Sequence, residues 1–351
     1  MTAQDLRTPK IAPKIAICGV GFVGKALARL ALSKGWTIVA AYNRAGTKVG
    51  QDLGRVADLG KDLGVIVEDA ALADFAGSGA DIALIAAGNT LASNFAAYEK
   101  FLSSGINVLC HASESYIPRW CNPELAAKID QLAQRHGVTF TGGGIWDMSR
   151  LWAGLIVAGP CAEISSLVHS STTEIVRQGV QYLPMFGVGL DPDAFRQRFS
   201  KGVGPFNFYH LPAVAVLERL GCTVTERKEW VAPIVWNETI HSPEANKEFP
   251  AGCCVGLQVC VDVHSKEGIK VESRIDYRLF KPGEIEEMRW RVIGKPGMEI
   301  RVVREDSGLA SASSLINRVP DVLAARPGIV EVMEMGPARP VLASEGFASH
   351  G

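Results

Sequence analysis

The chain lacks any C-x-x-C pair, any H-x-x-x-H spacing and any Asp/His cluster, so nothing in it spells out a zinc ribbon or a metal centre. Its eight cysteines, Cys18, Cys110, Cys121, Cys161, Cys222, Cys253, Cys254 and Cys260, are too dispersed for a small disulfide scaffold. Several lie inside apolar, strand-like runs, where a thiol behaves as a small hydrophobe. Charge of one sign is missing too: 36 Lys+Arg against 37 Asp+Glu leave a formal net charge of −1, and no global field draws in nucleic acid or anionic lipid. Long hydrophobic runs are absent. The longest, Leu151 to Ala162, is too short to span a bilayer. The opening MTAQDLRTPKIAPK has no charged-then-apolar leader pattern. These absences predict a reduced, cytoplasmic protein with no membrane partner, no nucleic-acid partner and no metal. No G-x-S-x-G elbow suggests hydrolysis, and Cys110 sits within a strand rather than at a helix N-terminus, which argues against covalent thiol chemistry.

What is present is a folded chain of 351 residues, 47% apolar and 21% charged, long enough for two domains. Up to about residue 146, short β-branched runs (KIAIC, TIVAAY, VIVED, DIALIAAG, INVLCHA, VTFTGGG) alternate with helical stretches. Near-continuous hydrophobic strands separated by helices predict a parallel sheet covered on both faces. DMSRLWAGLIVAG then reads as a linking helix with Asp147 as its N-cap. From there to 307 the texture is antiparallel, with long alternating strands at hairpin spacing (CVGLQVCVDVHS, IKVESRIDYRLF, EEMRWRVIG, MEIRVVRED) and helices near 192–200 and 209–220. Trp230 and Trp236, in a strand-like stretch, read as core. The expectation is an α/β protein: a Rossmann domain over 1–146, an α+β domain on a largely antiparallel mixed sheet over 147–307, and a C-terminal helix and tail over 308–351 that return to the first domain.

The cofactor signal is Gly19-Val20-Gly21-Phe22-Val23-Gly24, placed after a strand and opening a helix. Gly19 suits the tight turn, Gly21 lets backbone approach a diphosphate, and Gly24 allows close helix–strand packing, with the phosphates at the helix N-terminus. At the end of the second strand, where NAD-specific folds offer a carboxylate to the ribose, this chain has Asn43-Arg44. Arg44 suits a 2′-phosphate and Asn43 the ribose side, with Lys48 in support, so NADP is the expected cofactor and NAD a tolerated one. The ends of later strands, Ala87-Gly88 and His111-Ala112, border the same crevice.

Glu114, just past a buried strand and flanked by Tyr116, Ile117 and, through space, Trp146, is the candidate acid–base group; aromatic walls would desolvate it and raise its pKa. A loop glutamate facing water is the bland alternative. Gln178 and Tyr182 follow a polar-to-aromatic segment of the kind that lines a pocket, and His264, ending a strand of the second domain, could reach a cleft. Each is as readily explained by packing.

The GVGFVG turn, NRAGTKVGQDLG, CHASESYIP and GGGIWD together resemble the native NAD(P)-dependent amine dehydrogenases, relatives of 2,4-diaminopentanoate dehydrogenase within the dihydrodipicolinate-reductase-like group. The likeness is good over roughly the first 150 residues; the second domain matches mainly in layout. It implies reversible reductive amination of a small ketone or aldehyde with ammonia, in a homodimer paired through the second domain. It implies Glu114 as the catalytic glutamate, Phe140 and Trp146 as aromatic walls, Tyr182 and His264 as further lining, and Gly19, Phe22, Val23, Asn43 and Arg44 as cofactor residues. Dihydrodipicolinate reductases proper carry a histidine-rich stretch with a lysine and a P-S-G-T loop; LVHSSTTEIVRQG lacks both, which disfavours that reaction. A diamine or amino-acid dehydrogenase and a non-catalytic NADP sensor are the alternatives.

Overall fold

The computed structural model describes residues 12–342; the opening residues and the tail after 342 lie outside that range. Two compact units emerge. Among the described residues the first comprises 12–147 and 307–342 and the second 148–306.

In the first unit, β1 (Lys14–Cys18), β2 (Thr37–Asn43), β3 (Val67–Asp69), β4 (Ile82–Ile85), β5 (Asn107–Cys110) and β6 (Thr139–Gly142) are followed, much later in the chain, by Gly328–Ile329. Together they form one seven-stranded sheet, in the order 328–329, β6, β5, β4, β1, β2, β3, with every neighbouring pair parallel. Parallel pairs need crossovers, and the helices Phe22–Ser33, Leu91–Ser103 and Pro123–His136 supply them. Both faces are covered, so the strands are apolar throughout: Ile15, Ala16 and Ile17 are each fully buried. The late helix Ser307–Ala324 buries Ala312, Leu315, Ile316, Val319 and Val322 in the same cluster as Leu27, Ala28 and Ala31 of helix Phe22–Ser33. Each leucine, isoleucine or valine among them stabilises the unit by roughly 1.5–3 kcal/mol.

The second unit carries β7 (Glu163–Glu174), β8 (Val224–Val235), β9 (Ile240–Ser242), β10 (Lys247–Phe249), β11 (Cys254–Ser265), β12 (Lys270–Arg278), β13 (Glu286–Lys295) and β14 (Met298–Arg304). Six of these form a sheet in the order β14-β13-β7-β12-β11-β8. It is antiparallel except for the β12–β7 pair. The mixed, largely antiparallel sheet is therefore as expected, but hairpin spacing misleads between β12 and β13. They are not partners, because β7 lies between them, parallel to one and antiparallel to the other. Glycine at 154 lets helix Ala153–Ala158 press onto the sheet: a Cβ there would lie 2.7 Å from Val216 Cγ2 and 3.2 Å from Trp290 Cε2.

Three further expectations need correction. Asp147 is no N-cap. It opens a stretch of π-helix, Asp147–Trp152, and its fully buried carboxylate is held by Arg318. Trp230 and Trp236 are not core: both are half-buried at the edge of the sheet, with Arg274 5.0 Å over the first ring and Lys281 4.5 Å over the second. β8 is an edge strand whose first half is largely exposed, so Trp230 within it and Trp236 just past its end shelter under cations instead of under another layer. No helix among the described residues is long and apolar enough to cross a membrane.

Candidate functional site

The strand order reverses at β1, which has β2 on one side and β4 on the other. Open parallel sheets bind ligands outside the carboxyl ends of the strands at such a switch point. Here that edge carries the glycine turn after β1 and Ala87-Gly88 after β4. Each glycine of the turn answers a different demand. Gly19 has φ +91°, and a Cβ on it would stand 2.5 Å from the Ala86 carbonyl oxygen. A Cβ on Gly24 would stand 2.0 Å from the Gly19 oxygen, so strand and helix meet at backbone distance. Around Gly21 the position of a Cβ meets nothing within 4 Å. That open cradle lies at the N-cap of helix Phe22–Ser33, where no side chain caps the helix and no acid occupies the first turn. The unsatisfied N–H groups and the helix dipole favour an anion at this spot, as a dinucleotide's diphosphate requires. Val23 packs inward against the core, whereas Phe22 is 76% exposed and flanks the cradle.

Asn43 and Lys48 turn toward the same loop rather than outward. Asn43 Oδ1 accepts the Val20 N–H at 3.2 Å, and its amide nitrogen donates to the Arg44 carbonyl at 3.1 Å. Lys48 Nζ donates to the Val20 carbonyl at 2.6 Å. Both side chains hold the loop here, taking up the two backbone polar groups of Val20. Arg44 is exposed, with no side-chain hydrogen bond among the described residues, and remains the available cation.

At the next strand ends, buried Asn94 clamps Gly88 from both sides, accepting its N–H at 3.0 Å and donating to its carbonyl at 2.9 Å. Ala87 beside it is exposed. Glu114 sits in a short 3-10 turn, Ser113–Tyr116. Its carboxylate accepts the Leu91 N–H through Oε2 at 2.8 Å, and its own N–H donates to the Asn89 carbonyl at 3.3 Å. It is half-buried, neither sealed nor adrift. The expected desolvating aromatic walls are not what fixes it within this unit; the N-terminus of helix Leu91–Ser103 is. His111 Nε2 pairs with Ser311 Oγ at 2.7 Å, and burial pushes the imidazole pKa down. Ala112 is buried, its N–H donating to Cys110 Sγ at 3.4 Å and its carbonyl accepting the Ser115 N–H at 3.0 Å.

Among the candidate lining residues, Phe140 is corrected. Its ring is fully buried on β6, edge-on to Tyr98 at 4.9 Å, inside the core beneath the sheet and not on a pocket wall. Ile117 is buried as well. Trp146 stacks on Tyr116 at 5.6 Å, closing the strand exit where Gly144 takes φ +134°. In the second unit, Gln178 ends the turn Val176–Gln178, and its side chain lies outside what the structure describes. Tyr182 is 46% exposed. Both follow β7, at the end of the sheet where Glu174 pairs with Arg278. His264 pairs with Lys270 at the opposite end, eight residues along β12, or roughly 26 Å at 3.3 Å per residue. It cannot share a pocket with Tyr182 and Gln178. A groove of about 930 Å³ does lie at their end, lined by Val176, Arg177, Gln181, Trp236, His241 and Phe280 among others.

Asn94, Ser311 and Arg318 were not expected as structural determinants of this edge. The only sequence cue is an amide, a hydroxyl and a guanidinium inside otherwise apolar helical runs. Among the described residues no group of three or more His, Cys, Asp or Glu side chains could hold a metal.

No protein-family model matches the chain. It is 24% identical to 2,4-diaminopentanoate dehydrogenase of Acetoanaerobium sticklandii, over 94% of this chain and 95% of the relative. The solved structure of an amine dehydrogenase from Mycobacterium smegmatis superposes with a TM-score of 0.82 at 26% identity, covering 97% of this chain and 100% of that one. A biliverdin reductase from Synechocystis sp. PCC 6803, solved with biliverdin and NADP+, shares the fold at TM-score 0.52 and 17% identity, over 93% of this chain and 95% of that one. The resemblance read from the sequence is borne out, and it extends over nearly the whole chain rather than the first 150 residues. The chain is an oxidoreductase of the dehydrogenase type, and its glycine cradle suits an NAD or NADP dinucleotide.

Proposed function

We propose that the chain catalyses the reversible reductive amination of a small ketone or aldehyde with ammonia, at the expense of NADPH. The overall change is carbonyl plus ammonia plus NADPH plus a proton giving amine, NADP+ and water. The observation that carries this reading is Glu114, a half-buried carboxylate on the cofactor edge of the sheet with one oxygen fixed by the Leu91 N–H and Oε1 without a hydrogen bond among the described residues. A bound nicotinamide would supply the hydride. Glu114 Oε1 would take a proton as ammonia adds to the carbonyl, return it as water leaves, and balance the charge of the iminium by its own. Arg44, exposed where an NAD-selective fold has a carboxylate, would bind the 2′-phosphate and set the preference for NADP. Recognition of the carbonyl compound and pairing into a homodimer are assigned to the second unit.

The test is ammonia-dependent NADPH oxidation across ketones, aldehydes and keto acids. The expected result is turnover with small uncharged carbonyls that Glu114→Gln abolishes while NADPH still binds. Unchanged turnover in that variant removes Glu114 from the mechanism. The name of the Acetoanaerobium sticklandii relative favours a second reading, oxidative deamination of a diamine or amino acid, which the same panel run in reverse with diamino acids would reveal. A third reading, a sensor that binds NADPH without consuming it, predicts no turnover with any compound of either panel.

A further inference from the structure

Both peptide groups flanking Val20 are pinned by the last residue of β2 and the turn that follows it. Asn43 Oδ1 holds the Val20 N–H and Lys48 Nζ holds the Val20 carbonyl, two side chains on one residue of the glycine turn. A trans peptide is planar, with its C=O and N–H on opposite sides. Holding the Val20 N–H therefore directs the Gly19 carbonyl the other way, onto Gly24, where only a glycine leaves room for it. By the same geometry, holding the Val20 carbonyl directs the Gly21 N–H away from Lys48. That direction turns on the Val20 ψ and the Gly21 φ, and Gly21 as a glycine has the widest conformational freedom, so the contact with Lys48 restrains a peptide that is free to turn on its Gly21 side. The Gly21 N–H has no hydrogen-bond partner among the described residues, and a Cβ on Gly21 would meet open space.

We infer that Lys48 is a positioning residue for the dinucleotide: by holding the Val20 carbonyl it aims the Gly21 N–H at the diphosphate. This rests on the reading of the glycine turn as a dinucleotide site and assigns Lys48 a role different from a 2′-phosphate contact. The two roles separate by experiment, because the diphosphate is common to NADPH and NADH while the 2′-phosphate belongs to one of them.

The measurement is direct titration of the apo protein with NADPH and with NADH, followed by protein fluorescence, for wild type, Lys48→Met and Lys48→Arg. The methionine keeps the aliphatic stem and removes the donor. It should weaken both cofactors by the same factor, on the order of tenfold for one lost charge-assisted hydrogen bond. Lys48→Arg, still able to donate to the carbonyl, should recover most of the affinity for both. A loss confined to NADPH would make Lys48 a 2′-phosphate ligand and overturn the proposal, as would unchanged affinity for both. If Lys48→Met fails to fold, Lys48→Leu, which also lacks a donor, repeats the comparison against Lys48→Arg. Failure of the wild type to bind either dinucleotide would instead bring down the cofactor reading itself.

Discussion

Glu114 and Leu91 are joined by a hydrogen bond from the Leu91 backbone N–H to carboxylate Oε2 at 2.8 Å. Leu91 is the first residue of its helix, so this N–H is one of the donors that no helical carbonyl can satisfy. The carboxylate satisfies it and is oriented by it. One oxygen is thereby anchored to the end of a helix next to the Gly88 loop, and Oε1 makes no hydrogen bond among the described residues.

That geometry allows an unusually clean deletion. Proline is favoured at the first position of a helix, and the preceding residue, Thr90, already has φ −107° and ψ 154°, the conformation a following proline demands. Leu91→Pro therefore removes the N–H without breaking the helix, and Leu91→Ala controls for the loss of a fully buried side chain. Relative to the alanine variant, the proline variant should lose kcat by on the order of tenfold to a hundredfold, since a misplaced catalytic group costs that much. NADPH affinity should match between the two. Equal kcat values would show that the helix end does not orient Glu114.

Gly21 and Gly24 of the turn should respond in opposite ways. Gly21→Ala places a methyl in open space at the cradle, so its melting temperature should stay within a few degrees of wild type while dinucleotide affinity falls sharply. Gly24→Ala drives a methyl to 2.0 Å from the Gly19 oxygen and should lower stability by about 1–3 kcal/mol, the range for overpacking, visible in urea titration of the apo protein. Apo-protein destabilisation by Gly21→Ala equal to that by Gly24→Ala would contradict the assignment of the open side to the ligand.

Arg44→Ala should cost NADPH affinity and leave NADH affinity nearly untouched, moving the selectivity toward parity. The side chain is exposed and makes no hydrogen bond among the described residues, so its removal should hardly change stability. A parallel drop for both cofactors would mean that Arg44 supports the loop.

The doubly covered sheet, the glycine turn and the polar strand ends were legible because each follows from local pattern: a period, a spacing or a residue type that the backbone conformation requires. The misreadings come from contacts with no local signature. The resemblance implies Phe140 as a pocket wall, but its ring packs into the core against Tyr98, and residue type alone does not say which face of a doubly covered strand a side chain takes. The pairing of β7 between β12 and β13 depends on residues about a hundred positions apart. Asn43 and Lys48 look like ligand-binding side chains because their partner is the backbone of Val20, and backbone atoms leave no trace in residue identity.

The buried pair Asp147–Arg318 makes a prediction about pH. Both side chains are fully excluded from solvent, and Arg318 also bonds Asp321 at 2.8 Å and the Gly336 carbonyl at 2.9 Å. Asp147 Oδ1 has no hydrogen-bond partner among the described residues, and burial pushes the carboxyl pKa up to about 6, outweighing the opposing pull of Arg318. The folded state therefore binds this proton more tightly than the unfolded chain, whose carboxyl titrates near its ordinary value of 3.8. Between those two values the folded form holds the extra proton, so the contribution of Asp147 to stability is fully present below about pH 4 and is lost as pH rises through about 6. Asp147→Asn removes the titration while preserving shape. The stability of wild type relative to that variant, from melting curves at matched ionic strength, should increase as the pH is lowered from 7 to 5. A difference that stays flat, or shrinks toward acid, would mean that Arg318 keeps the carboxylate charged throughout and that the ion pair, not the burial, governs this junction.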